Sequence, residues 1–445
     1  MNGSFSRLLR RAVDVKESEL AALIWSAAYL FFVLSAYYVL RPIRDEAGVA
    51  GGVENLPWLF TGTLVGMLLV HPVFASLVGR LPRRRFVPLT YRFFILHLAI
   101  FFLLYKFVDP AKSVWIGRVF FIWASIFNLF VVSVFWSFMT DVFRPGQSKR
   151  LFGMVAVGGS IGAITGSSIT SALAGPLGPV NLLLVSALLL ELACYASRSL
   201  ERHEATLALA ADEAEGPQPP HSKSSSEDLI GGGLFDGIKS VFASPYLLGI
   251  SGLMLFFTIS STFIYFQQAD IVSRVFGNDR VGRTQLFANR DLAVNVLTLI
   301  TQLFLTGRIV RWFGVGMALA FLPALSAVGF ALLGASPGLT VVLLFDILRR
   351  AANFAIQRPA REALYTVLRR SDKYKAKNFN DTFVYRAGDQ IGAWTYPAMG
   401  ALGLGMSGLS FSMIPLSVAW LALALWLGRK YLRFHRAPDV TSEPG

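Results

Sequence analysis

Residues 20–46 read LAALIWSAAYLFFVLSAYYVLRPIRDE. Residues 20–40 carry no charge, and a helix of roughly 20 apolar residues is long enough to cross a bilayer. The run then meets Arg41, Arg44, Asp45 and Glu46 within six positions, with Pro42 between the arginines. Proline removes a helical hydrogen bond, so Pro42 is expected to kink or end the helix. Arg41 and Arg44 are three apart and Tyr37, Arg41 and Asp45 four apart, so all can share one helix face. Glu46 is expected to be the solvated end of the segment.

Similar apolar runs recur along all 445 residues. The chain is 54% hydrophobic and 13% aromatic but only 15% charged, where a soluble domain carries about 25%. This is the composition of an all-α polytopic membrane protein, with the lipid bilayer as its main partner. The net charge of +14 would suggest nucleic-acid binding in a soluble protein. Here it is explained by basic loops on the cytoplasmic side, and no nucleic acid is expected. Cys194 is the only cysteine, which excludes an intrachain disulfide and a cysteine metal cluster. No metal and no cofactor is expected. The opening MNGSFSRLLRRAVDVKESEL lacks a cleavage site and reads as an amphipathic segment on the cytoplasmic surface.

About twelve spans can be placed: 20–44, 57–78, 87–107, 114–138, 151–172, 178–198, 245–270, 284–306, 314–334, 338–364, 383–404 and 407–428. Lys and Arg gather in alternate connections, and the positive-inside rule then puts both termini in the cytoplasm. Arg118, Arg274, Arg280 and Arg283 run against that trend. Residues 199–242, rich in Pro, Ser and Gly, read as a flexible cytoplasmic linker. The expected organisation is 1–19 amphipathic segment, 20–198 first six-helix bundle, 199–242 linker, 243–428 second bundle and 429–445 tail.

The halves are related by a weak repeat. Gly79-Arg80 recurs as Gly307-Arg308, Asn128 as Asn353 and Tyr38 as Tyr265; Lys149-Arg150-Leu151-Phe152 matches the segment Lys375–Phe379. The separations all lie between 225 and 228 positions. Two pseudo-symmetric six-helix bundles make the major facilitator fold, whose substrate site lies at midplane between them. Duplicated bundles also occur in other transporters.

Ionisable residues inside spans are costly and point to function. Beside the Arg41–Asp45 cluster, span eight carries Arg290, Asp291 and Asn295, with Gln302 further along. Span ten carries Asp346, Arg350, Asn353, Gln357 and Arg361, with Arg349 and Arg358 beside that stripe. Span eleven carries Arg386 and Asp389, and Gln268 in span seven answers the first cluster by the repeat. The simpler reading is internal salt bridges and snorkelling side chains. Arginine nevertheless outnumbers nearby acid, and an unpaired buried arginine is expensive. A cavity lined by Arg41, Arg44, Arg290, Arg350 and Arg386 suits a multiply charged anion, which a guanidinium grips bidentately. Tyr37, Tyr38, Tyr265, Trp136 and Trp394 could stack on a flat ring, although aromatics also line membrane interfaces. Gly158, Gly162 and Gly166 recur every fourth residue and mark a helix-contact face. No G-x-S-x-G, H-E-x-x-H or G-x-x-x-x-G-K-[ST] motif occurs, so no enzyme is expected.

Leu40-Arg41-Pro42-Ile43-Arg44-Asp45 resembles the first-span L-R-D-x-K-D signature of the ATP/ADP antiporter family of plastids and intracellular bacteria. Phe135-Trp136-Ser137-Phe138 and Ser148-Lys149-Arg150-Leu151-Phe152 are similar to its F-W-G-F and A-K-R-F-Y segments. The resemblance implies a nucleotide exchanger of the bacterial inner membrane. A monomer is expected. It puts Arg44 at the family's phosphate-binding Lys, with Arg41 and Asp45 matching directly. Pro42 stands where the family has its first Asp. Arg386 and the Arg290-Asp291 pair fall where the family places other substrate-linked charges. The substrate expected is thus a phosphorylated anion, foremost a nucleotide. A proton-coupled facilitator for another organic anion or a drug, and a non-transporting membrane sensor or scaffold, are the alternatives.

Overall fold

In lipid, helices gain little from burying apolar side chains against one another, so association rests on close packing and on hydrogen bonds between helices. The computed structural model describes residues 15–80, 82–109, 113–204, 207, 241, 242, 244–368 and 370–436. Most of the expected amphipathic segment and linker, and the end of the tail, lie outside the described residues. Two compact units are formed: residues 1–51, 62–224 and 278–292 in the first, and 52–61, 225–277 and 293–445 in the second.

The first unit is organised around the Glu17–Ala50 helix. It packs most extensively on the Pro145–Leu173 and Leu182–Glu201 helices and also meets Ser113–Val142. Leu56–Arg80, from Gly62 onward, and Arg83–Phe107 belong to this unit as well. Pro42 does not end the first helix, which runs on to Ala50. Several polar groups inside the bundle pair with one another, as a dry interior favours. Tyr29 shares a hydrogen bond of 2.7 Å with Tyr91, which donates to the Val131 carbonyl at 3.2 Å. Glu19 is fully buried at the helix start and accepts from Arg150 at 2.9 Å and from Gln147 at 3.2 Å.

The second unit holds the Pro245–Phe276, Thr306–Ala335 and Met406–Arg436 helices, with two interrupted rods beside them. In one, Leu339–Ala352 passes through a π turn at Asn353–Gln357 into Arg358–Leu364. In the other, Arg370–Phe379 passes through a π turn at Asn380–Val384 into Tyr385–Ala401. Residues 370–377, read from sequence as a charged loop, are therefore helical. Gly314 (φ 76°) breaks the Thr306–Ala335 helix, in a conformation that only glycine adopts at little cost.

Among the described residues, nine helices are long and apolar enough to cross a membrane. The other three expected spans are the charge-bearing ones: Arg280–Phe304, the Leu339–Leu364 rod and Tyr385–Ala401. Their failure on composition has the same cause as their interest, since buried arginines and carboxylates lower their hydropathy.

The repeat is visible in the packing. In the first unit Gly162 lies against the Phe31 backbone and Gly166 against Ser35. In the second unit Gly388 lies against Thr258 and Gly392 against Thr262. The glycines are 226 positions apart and their partners 227, so each unit builds the same glycine-mediated crossing. A Cβ at Gly162 would overlap Phe31 backbone atoms, which cannot swing aside. Gly162→Leu is expected to cost about 1–3 kcal/mol or more. Gly153→Ala, with open space around its Cβ position, should leave the melting temperature unchanged or raised. Thermal unfolding of the purified variants checks both.

Candidate functional site

The Arg280–Phe304 helix begins inside the first unit, to which residues 278–292 belong. Its charges meet those of the Glu17–Ala50 helix in antiparallel order. Arg41 Nε lies 3.4 Å from Asp291, Arg290 lies 2.7 Å from Asp45, and Glu46 lies 2.8 Å from Arg283 and 3.3 Å from Arg280. As residue numbers rise on one helix they fall on the other. Arg283 and Arg290 are seven apart, two turns, so they project from one face.

Two further contacts close the pattern. Arg44 meets Asp45 at 2.6 Å, and Arg290 meets its neighbour Asp291 at 3.0 Å. The charges then form a continuous alternating chain: Arg41, Asp291, Arg290, Asp45, Arg44. Both ends are positive. The side chains of the inner three are 0–2% exposed, and those of Arg41 and Arg44 are each 16% exposed. The surplus charge therefore sits at the two more accessible members, three residues apart on one helix. Glu46 and its two arginines form a second, shorter unit of the same sign.

Among the described residues, five guanidinium groups thus meet three carboxylates. Four of the five also lie over aromatic faces, which favour a cation. Arg41 lies over Tyr38 at 5.6 Å, Arg44 over Phe121 at 5.3 Å, Arg280 over Tyr105 at 5.3 Å and Arg290 over Phe287 at 5.0 Å. Arg118 adds a sixth cation nearby, stacked on Trp115 at 4.5 Å and donating to the Gly51 carbonyl at 2.9 Å.

Glu46 is a correction to the sequence reading. It is 0% exposed, because the helix continues past it and Arg280 and Arg283 require a counterion. Both arginines, which stand apart from the basic connections in the sequence, pair with Glu46.

The other residues singled out in the sequence are distributed as follows. Tyr37 is buried, edge-on to Tyr38 at 5.2 Å. Trp136 packs between Phe135 and Phe152 in the first unit's core. Gln268 is buried in the second unit beside Gln267, which donates to Ser410 at 2.9 Å. Asn295 also belongs to the second unit. There Arg350 lies 3.7 Å from Asp346 and Arg386 lies 3.2 Å from Asp389. Asn353 opens the π turn. Arg41, Arg44, Asp45, Arg290 and Asp291 are thus brought together in one unit, while Gln268, Asn295, Arg350, Asn353, Arg386 and Asp389 lie in the other.

No family model matches this sequence, and no curated protein does. Among solved structures, the chain is similar to a bacterial homologue of the human lysosomal transporter Spinster in an inward-facing, unoccupied conformation. The TM-score is 0.55 at 13% identity, over 95% of this chain and 100% of that one. It is also similar to a mutant form of the nucleoside transporter NupG, with a TM-score of 0.53 at 12% identity, over 93% of this chain and 100% of that one. The fold is therefore the all-α polytopic fold of the major facilitator transporters.

Breaking a buried ion pair on one side strands the other charge, at a cost of about 3–5 kcal/mol. Glu46→Gln is expected to destabilise the protein by that order, removing the carboxylate that Arg280 and Arg283 share. The double variant Glu46→Gln with Arg283→Gln should recover part of the loss. Thermal unfolding of both proteins in the same detergent tests this coupling.

Proposed function

We propose that this chain is a secondary transporter that carries a phosphorylated organic anion, foremost a nucleotide, by alternating access and exchange. The observation that carries this reading is the alternating charge chain with its positive surplus at Arg41 and Arg44. Such a chain is held together without substrate, since each inner charge is paired, yet its outer arginines can still accept an anion. Arg44 is the member best placed to change partner. It shares Asp45 with Arg290, so a phosphoryl group can take over Arg44 while Arg290 keeps Asp45 neutralised. Paired guanidinium donors three residues apart match the several oxygens of a phosphate chain.

Exchange follows from the same electrostatics. A transporter must pass through a state in which its site is closed and dry. Closing over surplus arginine charge is costly, and closing over an arginine–anion complex is less so. The empty carrier then returns slowly, and a counter-substrate is needed for turnover. The similarity to solved transporters, one of them a nucleoside transporter, supports the transport reading. The resemblance of Leu40–Asp45 to the ATP/ADP antiporter signature supports the nucleotide. On this reading the protein works as a monomer in the bacterial inner membrane, with both termini in the cytoplasm.

A hydrogen bond to a charged group contributes about 1.5–3 kcal/mol, equivalent to at least tenfold in binding. Arg44→Ala and Arg386→Ala should each lower ATP uptake into ADP-loaded proteoliposomes by at least about tenfold. Unchanged uptake in both variants would refute the assignment. Asp45→Asn is expected to lower the KM for the anion, by removing its competitor for Arg44, and to lower kcat, by making the empty site harder to close. Uptake driven by a pH gradient into vesicles without counter-substrate would instead identify a proton-coupled carrier.

A further inference from the structure

Arg92 and Glu191 lie apart from the charge chain, on the neighbouring helices Arg83–Phe107 and Leu182–Glu201 of the first unit. They meet as a fork: Nη2 of Arg92 donates to Glu191 at 2.6 Å and Nε at 3.3 Å. Both helices are long and apolar enough to cross a membrane. Glu191 has nine residues of its helix before it and ten after it. Arg92 has nine before it and fifteen after it. At a rise of 1.5 Å per residue, each lies about 14 Å from the nearer end of its helix. That is close to the middle of a hydrocarbon core about 30 Å thick.

Charges at such depth ordinarily face the bundle interior or a water-filled cavity. These two face outward, with side chains 49% and 46% exposed. Their surroundings are apolar: Leu89, Phe93 and Leu96 on one helix, and Leu188 and Tyr195 on the other, are all more than half exposed. Among the described residues neither charge makes another ion pair. A guanidinium carries five N–H donors, and the fork uses two. The outer edge of the pair therefore meets lipid tails, which offer it no hydrogen bond. Phospholipid headgroups lie at the membrane surface, too far away to supply one. The apolar residues give no drive of their own to association, since lipid tails are as apolar as leucine. The exposed pair is the group on this face that needs a partner.

We infer that two copies of the chain meet side by side at this face, with Arg92 of each copy against the partner's Glu191. A two-fold axis along the membrane normal keeps every residue at its own depth. It also brings residue i of one copy to residue j of the other, and j to i. Arg92 and Glu191 touch, so their charged ends share one depth. The two-fold then sets each guanidinium level with a carboxylate. Four charges alternate around a ring, and the unused N–H donors find acceptors. The chain carries the complement of its own pair, which no unrelated helix is bound to do. The face is separate from the Arg41–Asp45 cluster, so transport stays the work of each monomer. Pairing goes beyond the proposed function and does not depend on the substrate.

The test is energy transfer between copies tagged with donor and acceptor fluorophores, in phosphatidylethanolamine and phosphatidylglycerol vesicles over a range of protein densities. Wild type should form dimers. The double variant Arg92→Leu with Glu191→Leu removes both charges from a lipid-facing surface. Its melting temperature should be unchanged or higher, while its dimer dissociation constant rises at least about tenfold. Arg92→Gln alone and Glu191→Gln alone should each pair weakly. A mixture of the two should recover pairing, because the intact Arg92 of one copy meets the partner's Glu191. Wild type that stays monomeric at every density, a double variant that dimerises like wild type, or a mixture no better paired than its components would each overturn the inference. A monomeric wild type that retains a phospholipid in native mass spectrometry, lost from the double variant, would assign the pair to lipid and overturn it as well.

Discussion

The interior of a bilayer offers a charge no water, and the chain of ion pairs between the Glu17–Ala50 helix and residues 280–292 is organised by that constraint. Each inner charge has two opposite neighbours. Asp45 lies between Arg44 and Arg290, and Asp291 between Arg290 and Arg41. Removing Asp45 or Asp291 would take from Arg44 or Arg41 the carboxylate it meets here. The antiparallel order of the contacts also sets the register of the two helices, because a slip of one turn would bring like charges together. Packing alone could not impose this, since leucine slides past leucine at little cost.

The glycine crossings do the complementary work. Gly158, Gly162 and Gly166 bring the Pro145–Leu173 helix against the backbone of the Glu17–Ala50 helix, and Ser35 then donates to the Gly162 carbonyl at 3.0 Å. Close approach and hydrogen bonding thus replace the hydrophobic drive that lipid removes. The second unit uses the same device with Gly388 and Gly392 against Thr258 and Thr262. Four short sequence matches point to the duplication, but its clearest trace is a shared mode of contact. Those glycines are not legible as a repeat because in the second unit they lie beside Arg386 and Asp389, which draw attention first.

The π turns add a further layer. A helix under lipid constraint can carry a proline only where other groups replace its missing donor. Beside Pro359, Gln302 donates to the Phe354 carbonyl and Thr306 to the Ala355 carbonyl. In the sequence, Gln357 and Arg361 can be put on a stripe with Asp346 and Arg350. That stripe assumes an uninterrupted helix, and the π turn rotates its second half.

Composition, span length and the clustering of arginine with acid are enough to establish an all-α membrane fold and to select Arg41, Arg44, Asp45, Arg290 and Asp291. These features are local: a run of apolar residues, and charges at helical spacing. Partner choice is not local. Glu46 reads as a solvated end because nothing near it in sequence demands burial. Its partners, Arg280 and Arg283, lie more than 230 positions away and look like exceptions to a loop rule. Only the tertiary structure joins them, because burying a carboxylate is tolerable only where guanidinium groups from another helix arrive to neutralise it.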